Sequence, residues 1–246
     1  MSAEKTIYKG ASVAERAPNH KARAREASVE RILDAAEQLF AELGYHGVTL
    51  KDVAARIGVS STLIHYHFKG KESIYEAVWA RKAPLSARNR LEMMRRYAEE
   101  AGNNVTVEGA LKAWINTDLN VQIEDEEYWG SFGKIAAQAN SAAGWGAEKM
   151  TKYFDPVALA LIDLLKKAMP DCDEERIFWG YHFLSGAMTH NMARTGRLDS
   201  LSHGICSSDD FISMRQHMAT FMAAGFQAIC QGPVTGKAAR ARRNTP

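Results

Sequence analysis

Thr49-Leu50-Lys51-Asp52-Val53-Ala54-Ala55-Arg56-Ile57-Gly58-Val59-Ser60-Ser61-Thr62-Leu63-Ile64-His65-Tyr66-His67-Phe68 is the stretch from which the fold can be read. It divides at Gly58-Val59-Ser60 into two short helices. Thr49 can cap the first through the amide of Asp52, with Asp52 reaching back in a capping box. Gly58 supplies the positive φ of a sharp turn, and the small Ala54 lets the two helices cross closely. Val53, Ile57, Val59 and Ile64 fall where crossed helices touch. The spacing predicts a helix-turn-helix, whose second helix runs from Ser60 through His67.

Helices this short bury little alone, so they must share a core with their neighbours. Upstream, Val29, Ile32, Leu33, Ala36, Leu39, Phe40 and Leu43 recur at three- and four-residue steps along one helical face, with Ser28 as N-cap and Gly44 as C′ residue. Downstream, a helix begins near Lys71 and turns Ile74, Tyr75, Val78 and Trp79 inward, running toward a break at Pro84. Further helices are expected over roughly 86–101, 106–123, 125–142, 147–168, 173–194 and 208–230, with no alternating strand pattern between them. The fold class expected is all-α: an N-terminal three-helix helix-turn-helix domain over 28–75, and a C-terminal helical domain over 76–230.

The chain has 246 residues, 46% hydrophobic and 24% charged, enough to build a core by burial alone. Cys172, Cys206 and Cys230 have neither disulfide-framework nor zinc spacing, and are expected to be reduced thiols in packed surroundings. The longest uncharged run, Gln216 to Gly236, is too polar to span a bilayer, and no signal-like run opens the sequence, so a cytoplasmic protein with no membrane partner is expected. The net charge of +2 hides two basic ends. Segment 1–27 holds six Lys/Arg against three Glu, and segment 231–246 holds Lys237, Arg240, Arg242 and Arg243 with no acid. Both are read as flexible basic tails suited to phosphate contact or to solubility. The acidic run Glu124-Asp125-Glu126-Glu127 reads as a helix start. No spacing sets a nucleophile beside a base, no glycine loop cradles phosphate, and His65 and His67 point about 200° apart on a helix, away from a shared metal. Neither a metal nor a cofactor is expected.

Residues 28–79 resemble the DNA-binding domain of the TetR family of bacterial transcriptional regulators. The resemblance is carried by Ile32-Leu33-Asp34-Ala35-Ala36, Leu39-Phe40, Gly44-Tyr45, Thr49, Val53-Ala54, Gly58-Val59-Ser60, Leu63, Tyr66-His67-Phe68 and Lys71-Glu72. Where many relatives have Leu-Tyr, this chain has Ile64-His65. By that resemblance 28–75 is a DNA-binding domain and 76–230 a ligand-binding and dimerisation domain; Ser61, Thr62 and Leu63 are expected to meet base edges in the major groove, and Ser60 before them is a further DNA-binding candidate. Thr49, His65, Tyr66, His67 and Lys71 would hold phosphates, with Lys21, Arg23 and Arg25 reaching the backbone or minor groove. The resemblance also implies a homodimer through the last two long helices, whose apolar residues include Phe178, Trp179, Phe183, Phe211, Phe221 and Phe226. The helix over Ile177–Met192 is apolar on nearly every side and is expected to be buried all round.

The C-terminal half is similar to the PsrA-type, fatty-acid-responsive branch. The similarity lies in Phe154-Asp155-Pro156, Trp179, His182-Phe183-Leu184, Gly186-Ala187-Met188, Thr195-Gly196-Arg197-Leu198 and Phe221-Met222-Ala223-Ala224-Gly225. It implies an apolar or acyl effector. The pocket residues expected are Trp114, Trp129, Phe132, Tyr153, Phe154, Trp179, His182 and Met188, although each is equally suited to a core. The function expected is a ligand-responsive repressor on a palindromic double-stranded operator. The alternatives are a helical small-molecule-binding enzyme that retained a helix-turn-helix-like fold and an architectural DNA binder without a ligand.

Overall fold

The computed structural model describes residues 20–232, and every regular element among them is an α-helix. In chain order these are α1 (His20–Gly47), α2 (Leu50–Arg56), α3 (Ser61–His67), α4 (Lys71–Ala101), α5 (Val107–Glu124), α6 (Glu126–Asn140), α7 (Trp145–Ala168), α8 (Glu174–Ala193), α9 (Arg197–Leu201) and α10 (Phe211–Gln231). Local chemistry sets most of the starts. The Thr49 hydroxyl accepts from the Asp52 amide while the Asp52 carboxylate accepts from the Thr49 amide, so the capping box is complete. Thr106, Asp125, Asp173 and Asp210 likewise cap α5, α6, α8 and α10.

The α1–α4 unit closes on Ile32, Phe40, Val53, Ile64 and Ile74, all essentially inaccessible. Trp79 carries this core into the rest of the molecule. Its ring meets Tyr75 on the head side and Phe132 and Tyr153 on the other, with centroids 6.1, 5.4 and 6.0 Å away. Beyond it, α4, α5, α6, α7 and α8 pack around Leu111, Ile115, Leu119, Ile135, Leu161 and Leu184. The last helix lies on α5 and α8. Phe226 sits where a Cβ on Gly180 would go, so α8 and α10 approach closely at that point.

Four expectations change. Pro84 does not end a helix: α4 runs through it as one element of 31 residues. Pro84 and Ala80 are both exposed, so the carbonyl that loses its intrahelical N–H partner faces water, while Lys82 and Ala83 beside it are buried. Helix α1 starts at His20, well before Ser28, because His20 to Ala27 is rich in Ala, Arg and Lys, which favour helix. Its dihedrals break at Gly44 (φ 72°), as a C′ glycine requires. The basic residues of 1–19 and 233–246 lie outside the described residues.

The cysteine expectation is also overturned. Cys172 and Cys230 form a disulfide across a sequence separation of 58, and Cys206 is exposed rather than packed. Antiparallel packing brings the start of α8 beside the end of α10, where the Arg176 guanidinium donates to the carbonyls of Ile229 and Cys230 at 3.1 and 3.0 Å. Finally, α8 is not buried all round within one chain. Phe178, Trp179 and Phe183 are 43%, 52% and 55% exposed, and Phe221 of α10 is 74% exposed.

Candidate functional site

The outer surface of the head is built around one anchor. Ile64 is wholly buried, which pins α3 and leaves Thr62, His65 and Tyr66 facing outward, Tyr66 at 73% exposure. Ser61, Leu63 and His67 are half-buried at the flanks, and Ser60 is exposed at the helix start. Gly58 takes φ +68°, and the Val59 amide bonds the Ala54 carbonyl at 3.0 Å, which fixes the angle between α2 and α3. Arg31 of α1 adds a bond to the Ile57 carbonyl at 3.2 Å.

Thr49 is exposed, yet its amide and hydroxyl both donate to Asp52, at 2.8 and 2.7 Å. These two bonds hold the Asp52 carboxyl below its ordinary value. Lys71 donates to the Tyr45 carbonyl at 2.8 Å and lies 4.5 Å from the centre of the Tyr45 ring. An ammonium has three N–H groups, so one contact to the chain leaves capacity for a phosphate. Lys21, Arg23 and Arg25 are exposed on the first turns of α1.

The second candidate site is a cavity of about 80 Å³ walled by α4 to α8. Of the residues expected in a pocket, Trp114, Trp129, Phe132, Phe154 and Met188 line it. Tyr153, Trp179 and His182 do not. Tyr153 stacks on Trp79 instead, Trp179 projects from the exposed side of α8, and His182 borders a separate groove with Asn140 and His190. These positions sit on other faces of their helices, which composition alone does not separate.

The cavity holds polar residues that the aromatic count missed. Arg90 of α4 pairs with Asp118 of α5, Nε donating to Oδ1 at 2.6 Å and Nη2 meeting Oδ2, with both side chains 13% exposed. Burial lowers the pKa of Arg90 to about 10, so it remains charged at neutral pH. A signal was present: Trp79, Ala83, Arg90 and Met94 share one helical stripe, as do Leu111, Ile115, Asp118 and Gln122. A charge on an apolar stripe marks a buried polar site.

Head and cavity meet on α6. Its face toward α7 and α8 supplies Trp129, Phe132, Gly133 and Ala136 to the cavity. Its other face holds the head: Gln138 donates to the Ala41 carbonyl at 3.0 Å, and Lys82 of α4 bridges Glu37 of α1 and the Tyr128 carbonyl. Arg81 adds bonds from α4 to Glu30, Asp34 and Glu37 of α1 at 3.1, 2.6 and 2.6 Å.

Residues 32–78 match the profile of bacterial regulatory proteins of the tetR family, and residues 112–225 match that of the tetracyclin repressor-like C-terminal domain. The chain is 45% identical over 47 residues to IcaR, the negative transcriptional regulator of the biofilm operon icaADBC in Staphylococcus aureus. That match covers 19% of this chain and 25% of IcaR. It is 41% identical over 58 residues to the regulator RutR of Escherichia coli K12, covering 24% of this chain and 27% of RutR. The matches thus span about a quarter of these relatives' lengths. Among solved structures, the hemolysin II transcriptional regulator HlyIIR superposes with TM-score 0.55 at 20% identity, over 82% of this chain and 97% of that one. The fatty acid degradation regulator FadR from Bacillus halodurans gives TM-score 0.51 at 15% identity, over 80% and 95%. At such identities these two likenesses speak for the fold alone. The proteins named and both profiles are those of transcriptional regulators, not enzymes.

Proposed function

The chain belongs to the TetR family of bacterial regulatory proteins, and from that premise we propose that it is a homodimeric repressor that leaves a palindromic operator when an apolar or acyl effector enters the α4–α8 cavity. The observation that carries the reading is the double use of α6, which is both a wall of the cavity and the seat of the head. A ligand that displaces Trp129 or Phe132 moves the same helix that holds Ala41 and Lys82. Binding energy gained in one head arrangement and lost in the other is all that such coupling needs, and it acts equally in both directions.

Ser60, Ser61, Thr62 and Leu63 are the base-reading candidates, with His65, Tyr66, His67, Lys71 and Thr49 beside the backbone and Lys21, Arg23 and Arg25 at the approach. Phe178, Trp179, Phe183 and Phe221 form the apolar surface that a second copy would cover, a two-fold arrangement that sets the heads about 34 Å apart, one turn of duplex. Among the described residues no helix is long and apolar enough to cross a membrane.

The test is selection of random duplex DNA by the purified protein at physiological salt, without added ligand, followed by sequencing. Enrichment of a palindrome with half-sites one turn apart is expected. A pool that enriches no sequence, before and after denaturation and refolding to strip bound compounds, rejects the reading.

A further inference from the structure

The interior of the cavity narrows the chemistry of what it takes, on the premise that this cavity is the effector site. Arg90 presents a planar guanidinium with five N–H groups. Its central carbon lies over the rings of Trp114 and Phe154, 4.9 and 5.2 Å from their centres. One edge is taken by Asp118, which accepts from Nε and Nη2 and is the hydrogen-bonding partner of Arg90 among the described residues. Arg90 itself lines the cavity, and three of its five N–H groups lie beyond these two contacts. Two of the neutral polar side chains around it already spend donors within the chain: Gln122 donates to the Trp129 carbonyl at 3.3 Å, and Asn140 donates to Ser185 and Thr189 at 3.1 and 2.6 Å.

The charged donor of this cavity is therefore the Arg90 guanidinium, whose remaining N–H groups a planar acceptor with two oxygens fits best. A cationic ligand would have to share the Asp118 carboxylate with the Arg90 charge already beside it. A lone carbonyl would fill a single N–H and leave buried donors unmet. We propose that the effector is an organic acid whose carboxylate docks on the remaining N–H groups of Arg90 while its apolar body lies against Trp129, Phe132 and Met188. Asp118 then acts as an internal competitor that holds the guanidinium in plane when no ligand is bound and shares it when one is.

The experiment is titration calorimetry on the full chain with two isosteric sets: phenylacetate, 2-phenylethanol and 2-phenylethylamine, and octanoate, octanol and octylamine. The expected result is binding of at least one acid more tightly than its alcohol and amine, by about tenfold or more, the range for a charge-assisted hydrogen bond. Asp118→Asn should tighten that acid by about tenfold by removing the competing charge, while Arg90→Met should abolish the preference. Thermal unfolding reports whether each variant is folded, and if Arg90→Met is not, the sign of the Asp118→Asn effect decides. The proposal is overturned if the amine binds best and is lost in Asp118→Asn, if alcohol equals acid, or if no compound of either set binds. An acid that binds by this rule without releasing the selected operator DNA leaves the carboxylate site standing and removes its role as effector. Because the DNA selection uses no ligand, the two readings fail separately.

Discussion

The head and the sensor solve opposite problems with the same material. In the head, core side chains point inward and the candidates for DNA contact outward: Ile64 is buried, and Thr62, His65 and Tyr66 are exposed beside it. In the C-terminal half, cavity-lining and structural side chains share one interior, and Trp114 belongs both to the cavity wall and to the core. A surface that reads a duplex is constrained by groove geometry, whereas a cavity is constrained only by packing around whatever it holds. The head therefore announces itself in sequence and the sensor does not.

Four experiments break or sharpen this contrast. The largest effect is expected inside the sensor. Cys172→Ser, or reduction of the wild-type disulfide, should lower unfolding stability by about 4 kcal/mol on chain-entropy grounds for a closure across 58 residues. Denaturant unfolding with and without reductant measures it, and operator affinity well below the transition should stay unchanged. A matching loss of affinity would mean that the far end of the sensor reaches the head directly. Next, Phe221→Asp places a charge on a side chain that is 74% exposed in the single chain. It should convert the dimer to monomer by light scattering and weaken operator binding by about a hundredfold or more, the scale on which linked sites help each other.

Within the head, Lys71→Ala should weaken all DNA sequences alike by about tenfold and lower the salt slope by about one, whereas Thr62→Ala should alter preference at one base pair. Competition binding across salt concentrations separates the two, and a change of base preference in Lys71→Ala would reverse the roles. The smallest effect concerns the cap of α2. The lowered pKa of Asp52 means that its contribution is complete above the ordinary carboxyl value of 3.8 and fades as pH falls below it. Asp52→Asn should be slightly less stable than wild type at neutral pH and equal to it at low pH, read by thermal unfolding in a pH series.

The helices of both halves were legible from periodicity, and α2 and α3 were read to within a residue because capping box, glycine and buried positions agree there. Pro84 misled because a proline on the wet side of a long helix costs one bond that water replaces, and only the fold tells which side is wet. The disulfide was invisible for a related reason: its partners are neighbours through the antiparallel return of α10 along α8, not through spacing. In the cavity, aromatic residues identified the right helices but not their faces, so Tyr153, Trp179 and His182 were chosen with Trp114 and Phe132. Arg90 and Asp118 were the stronger clue. Each sits alone on a stripe of buried residues, and a charge in such a place needs a partner wherever the chain finds one.

The grip between α6 and the head has a consequence for how this molecule can change over generations. Gln138 and Lys82 hold the main-chain oxygens of Ala41 and Tyr128, and Lys82 also lies 4.0 Å from the centre of the Tyr128 ring. Every amino acid carries that oxygen, so substitutions at 41 and 128 leave both bonds possible. The joint tolerates drift on one side as long as Gln138 and Lys82 persist on the other, so under the proposed function the cavity can be refashioned for a new compound while the head keeps its seat.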